Sequence, residues 1–123
     1  MADPPVLTFM SGPDDGSVIQ PVLPKSISAI IFGRVPSCAV ALPYDPSVSR
    51  QHSRLFWREN AWWLEDMGST NGTFVGEFAQ SVKVVEPVRL STGQVFKVGR
   101  TRFRLESPDE NYKATSGKAQ ATA

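Results

Sequence analysis

Apolar residues in this chain come in short runs of strand length, several alternating with polar ones, and no run keeps a helical period. Val6 to Met10 predicts a first strand, a polar turn follows over Ser11 to Gly16, and Val18 to Leu23 predicts a second. Ile27 to Phe32 carries large apolar groups at both parities, the pattern of a strand buried on two faces. In Ser53 to Arg58, Leu55 and Trp57 share one face and Arg54 and Arg58 the other. Ala61 to Asp66 answers that strand across a short Glu59-Asn60 turn, with one ring of the Trp62-Trp63 pair facing the core and one facing away. A second hairpin is predicted from Gln94–Val98 and Thr101–Glu106, joined at Gly99-Arg100, where a leading glycine suits a type II′ turn. Phe96, Val98, Phe103 and Leu105 line its core face. Many short strands with turn signals between them predict an all-β sandwich.

Composition narrows the function. A chain of 123 residues fits one domain, expected here over residues 6–106, with 1–5 as a flexible start. Residues 107–123 are small and polar and bury too little apolar surface to offset the entropy of ordering, so they are expected to form a disordered tail or linker. The 13 basic residues nearly balance 12 acidic ones, which argues against a nucleic-acid binder acting through bulk charge. An anion site must then be a local cluster. The single cysteine, Cys38, excludes an internal disulfide and a Cys-rich zinc site. No signal peptide or membrane-length apolar run occurs, and the expected setting is cytoplasmic, with no membrane partner. No acidic or histidine cluster argues for a metal or another cofactor.

Three polar stretches stand apart from the strands: Phe32-Gly33-Arg34, Asp45-Pro46-Ser47-Val48-Ser49-Arg50-Gln51-His52, and Asp66-Met67-Gly68-Ser69-Thr70-Asn71-Gly72-Thr73-Phe74. Arg34 closes an apolar strand, and its guanidinium offers a planar fork of donors that suits two phosphate oxygens. Ser49 falls in a loop opened by Asp45-Pro46, where proline fixes its own φ and holds its predecessor extended. Arg50 beside it supplies a more exposed charge. Asn71-Gly72 favours a tight turn, yet a plain hairpin has no need of Ser69, Thr70 and Asn71 packed ahead of that glycine. Ser49 and His52, the one histidine, also raise a nucleophile and base. Spacing alone supplies no orienting acid or oxyanion hole, and no Gly-x-Ser-x-Gly elbow is present.

In this order the stretches resemble the signature of the forkhead-associated (FHA) domain, a module that reads phosphothreonine in partner proteins. The resemblance runs from about Val6 to Glu106 and implies a sandwich of two mainly antiparallel sheets with a binding site in loops at one end. It implies that Arg34, Ser49 and Thr70 contact phosphate, with Arg50 nearby, and that Asn71 holds the peptide main chain. His52 then braces the loops, while Gly33, Ser69 and Gly72 shape them. The chain departs from the family at Gly76-Glu77-Phe78, where Asn-Gly is common. The implied protein is a non-catalytic, monomeric, cofactor-free reader of phosphothreonine-containing proteins or peptides in kinase signalling. The alternative is a phosphorylation-independent interaction or oligomerisation domain using a sheet face with Phe56, Trp63 or Phe78.

Overall fold

Alternating apolar positions need a second layer to cover them, and this chain supplies it by stacking two sheets. The computed structural model describes residues 5–21 and 29–106. The start at 1–4, the segment 22–28 and the tail 107–123 lie outside the described residues. So do the expected continuation of the second strand to Leu23 and the expected first residues of the third. One sheet has six strands: β1 (Val6–Phe9), β2 (Val18–Ile19), β7 (Thr73–Val75), β8 (Val82–Lys83), β10 (Val95–Val98) and β11 (Thr101–Glu106), in the order β2-β1-β11-β10-β7-β8. The other has β3 (Ala29–Gly33), β4 (Val40–Ala41), β5 (Ser53–Arg58), β6 (Ala61–Asp66) and β9 (Val88–Leu90), in the order β4-β3-β5-β6-β9. The pairings are antiparallel except for β3 with β4, which is parallel. The all-β sandwich expected from the pattern is therefore the fold observed.

Both expected hairpins form. The β5–β6 register sets Leu55 opposite Leu64 and Trp57 opposite Trp62, and Glu59 and Asn60 make the turn at φ 53° and 60°. Two successive positive φ values suit the right-handed twist of the flanking strands. In the β10–β11 hairpin Gly99 takes φ 63°, as a leading turn glycine does. Leu55 and Trp57 share a face, but Trp57 sits at the rim of the sheet and is 40% exposed, its ring set edge-on to Trp62 at 5.3 Å. Trp62 is buried, while Trp63 points outward and donates its indole N–H to Arg58 O.

Phe32 locks the two sheets together. It comes from the five-stranded sheet and meets Phe96 and Phe103 of the other at ring-centroid distances of 5.7 and 5.2 Å. All three rings are fully buried, so little water can reach the seam. Because Phe32 directly precedes Gly33 and Arg34, this packing also fixes where the first polar stretch emerges. No helix among the described residues is long and apolar enough to cross a membrane. Truncating Phe32 to Ala removes the interlocking ring and leaves a cavity, with an expected loss of about 3–5 kcal/mol in urea unfolding. A loss under 1 kcal/mol would mean that the neighbouring rings collapse into the space.

Candidate functional site

The three polar stretches converge at one end of the sandwich, and backbone hydrogen bonds begin the assembly. Arg34 donates its amide to Ser49 O, and His52 donates its amide to Phe32 O. Gly33 lets these segments approach: a Cβ there would fall 1.9 Å from Arg50 O and 2.7 Å from Cys38 Sγ. Gly33 therefore cannot be replaced by a larger residue unless the loop moves. The Cys38 thiol donates to the same Arg50 carbonyl at 3.3 Å, and burial pushes its pKa up. Cys38 thus acts as a small packing residue.

His52 is wholly buried and joins the second stretch to the third. Its Nδ1 accepts the Ser49 amide at 3.0 Å, which places the ring proton on Nε2, where it is donated to Gly72 O at 2.8 Å. Both ring nitrogens are therefore occupied. The Ser49 hydroxyl has no base from this imidazole, so the pair does not form a nucleophilic dyad. Instead Ser49 Oγ accepts the Thr70 amide at 3.2 Å, and Asn71 Nδ2 donates to Ser47 O at 3.0 Å. Two loops distant in sequence are stitched edge to edge.

Two carboxylates anchor the loops from below, and neither was singled out by motif reading. Asp66 accepts the Gly68 and Ser69 amides and the Ser69 and Thr73 hydroxyls, and Ser69 Oγ in turn accepts the Gly72 amide. Asp45, 4% exposed, accepts the Ser47 and Arg100 amides and the Thr101 hydroxyl, which ties the second stretch to the β10–β11 turn. Burial pushes both carboxyls up, but the donated hydrogen bonds outweigh it: Thr101, Arg100 and Ser47 for Asp45, Ser69, Thr73 and Gly68 for Asp66. Their pKa values end below the usual carboxylate range. The available signal was local, since Asp followed two or three residues later by Gly or Ser forms Asx-type turns.

Arg34, Arg50, Thr70 and Asn71 are exposed on the rim, and Ser49 is half-buried. Arg34 Nε donates to Val48 O at 3.0 Å, which holds the guanidinium plane. The Ser49 hydroxyl proton, the Arg34 fork and the Thr70 hydroxyl form a donor-rich rim suited to a polyoxygen anion. Arg50 contributes its carbonyl to the packing around Gly33, while its side chain is exposed. Each residue singled out from the sequence thus lies in this loop cluster. Arg54 and Arg104 lie elsewhere, paired with Glu65 and Glu106 on strand faces.

The FHA domain family model matches residues 30–99. The chain is 31% identical over 91 residues to the FHA domain-containing protein FhaB of Mycobacterium tuberculosis, covering 74% of this chain and 56% of that protein. It thus spans about half the length of such a relative. Among solved structures, an FHA domain from work on phosphothreonine-dependent FHA domain interactions aligns at TM-score 0.67 and 27% identity, over 86% of this chain and 98% of that one. The FHA domain of an Arabidopsis thaliana hypothetical protein aligns at TM-score 0.70 and 28% identity, over 89% and 93% of the two chains.

Replacing His52 with Ala strands the part-buried Ser49 amide and the buried Gly72 carbonyl. We expect a stability loss of about 1–3 kcal/mol and a lower melting temperature; unchanged melting would show that the ring does not brace the loops. The two carboxyls set an acid limit as well. Folded pKa values below the reference value of 3.8 mean that the folded state favours the charged form. Their stabilisation is complete above that value and is lost as pH falls through the lower folded values. Melting temperature is therefore expected to drop below about pH 4, and to drop less steeply in Asp66→Asn, whose starting stability is already lower.

Proposed function

This chain belongs to the FHA domain family, and from that membership we propose that it is a phosphothreonine-dependent interaction module that binds phosphorylated partner proteins and has no catalytic activity of its own. The observation that carries the reading is the rim where Arg34, Ser49, Thr70 and Asn71 meet, with His52 bridging the loops beneath it. A phosphomonoester carries about −1.5 to −2 charge and three strong acceptors near neutral pH. Arg34 grips two of its oxygens, and Ser49 donates the proton that its bond to Thr70 leaves available. The Thr70 hydroxyl donates to the phosphate and Arg50 adds a longer-range charge. With Asn71 Nδ2 committed to Ser47 O, its Oδ1 accepts a main-chain amide of the bound peptide. Gly33, Ser69 and Gly72 keep the loops in the shape these contacts need.

Binding draws on preorganisation. The donors are held by hydrogen bonds within the protein before any ligand arrives, so little side-chain entropy is lost when phosphate docks. Residues 6–106 form the module in this proposal, and residues 107–123 serve as a linker or tail. A cytoplasmic setting fits a module served by Ser/Thr kinases and the unpaired, buried thiol of Cys38.

The test is a titration with one peptide sequence in three forms, carrying Thr, phosphothreonine or phosphoserine. Binding of the phosphothreonine form alone is the expected outcome, whereas equal affinity for all three would move the function to a sheet face. Arg34→Ala is expected to weaken phosphopeptide binding by about 1.5–3 kcal/mol without changing the melting temperature. Normal phosphopeptide affinity in that variant would overturn the site.

A further inference from the structure

A row of cations crosses the outer face of the six-stranded sheet beside the candidate site. Register places Arg102 opposite Lys97, Lys97 opposite Phe74, and Phe74 opposite Lys83. Residues directly opposite share a face, so the four side chains form one line across β11, β10, β7 and β8. Lys97 Nζ lies 4.8 Å from the centre of the Phe74 ring. Lys83 is exposed, and its Cε comes within 3.3 Å of the point that a Cβ on Gly72 would occupy. The row therefore begins against the same loop that carries Thr70 and Asn71.

Among the described residues, the two lysines of the row have no carboxylate partner, although Glu77 and Glu86 lie near the two ends of β8. Like charges opposite or near one another on a sheet are unfavourable in the absence of a counter-charge. The neighbouring row handles this differently, since Arg104 is paired with Glu106. Phe74 separates the two lysines and gives the row an apolar centre.

We infer that the Lys83–Phe74–Lys97 row is an extension of the binding site that selects partners with Asp or Glu close to the phosphothreonine. This rests on the phosphothreonine reading above. The three strands of this row, at a spacing of about 4.8 Å, make it about 10 Å long, which an extended peptide covers in about three residues. The acidic residues consequently fall within about three positions of the phosphothreonine. Each lysine meets a carboxylate in a solvent-accessible setting, so the row adds selectivity and on-rate to an affinity set mainly by phosphate.

The experiment uses the full chain and fluorescent peptides of equal length: phosphothreonine flanked by Ala, phosphothreonine flanked by Asp on either side in turn, and the unphosphorylated Asp peptide. An Asp flank on one side is expected to tighten binding about three- to tenfold over the Ala flank at low salt. That gain is expected to vanish in a Lys83→Gln, Lys97→Gln double variant, while affinity for the Ala-flanked phosphopeptide stays the same. Melting temperatures equal to that of the unaltered chain exclude misfolding as the cause. If the Ala-flanked phosphopeptide binds but Asp adds nothing, or the gain survives in the double variant, the row is not a selectivity element although the phosphate reading stands. If the Ala-flanked phosphopeptide fails to bind and the phosphorylated and unphosphorylated Asp peptides bind alike, the phosphate reading falls, and the inference built on it falls too.

Discussion

The buried imidazole of His52 is the constraint on which the binding end depends. A neutral ring can accept through one nitrogen and donate through the other, and here each is used once, on Ser49 N and Gly72 O. That polarity joins an amide of one loop to a carbonyl of another. No apolar residue of the same volume makes both bonds, and a carboxamide in this place would need a different reach. Because the ring is fully enclosed, both bonds form where water does not compete, which gives them more weight than equivalent surface contacts. The rim residues inherit their positions from this bridge.

Around it, the structure solves the problem of building loops without regular secondary structure. Loop amides that find no strand partner must be satisfied in another way. Asp66 and Asp45 supply acceptors for several of them, Ser69 relays one more, and the Ser49 hydroxyl takes the Thr70 amide. The acceptors face inward and the remaining donors face outward. Such an arrangement leaves a rim rich in donors although the whole chain carries a formal charge of only +1. Local geometry, and not bulk charge, makes the site attractive to an anion.

The longer strands and the two hairpins were legible because they depend on local pattern. Leu55 facing Leu64, Phe96 facing Phe103 and the two-residue turns at Glu59-Asn60 and Gly99-Arg100 follow from period-two alternation and turn chemistry. Positive φ at Glu59, a residue that seldom adopts it, carries no such signal and was imposed by the closeness of β5 and β6. Trp57 illustrates another limit. Alternation assigned its face correctly, but its exposure depends on how far the opposing sheet extends. The Asp45 carboxylate escaped motif reading because its importance comes from partners such as Thr101, 56 residues away in sequence, whereas the partners of Asp66 all lie within seven residues of it.

By itself the sequence determined the class of fold, the longer strands, both hairpins, and the three polar stretches whose types and order mark the family. These are properties of neighbours along the chain, and residue type and spacing encode them directly. The two- and three-residue strands β4, β8 and β9 carry too little pattern to be read in this way. Tertiary structure alone decided that Gly33 must be glycine because the Arg50 carbonyl passes beside it, and that both His52 nitrogens are committed to the loops. It also aligned Arg102, Lys97, Phe74 and Lys83 from four separate strands into one row. Such facts depend on strand order and register between distant segments, and those are settled only when the two sheets close on their shared core.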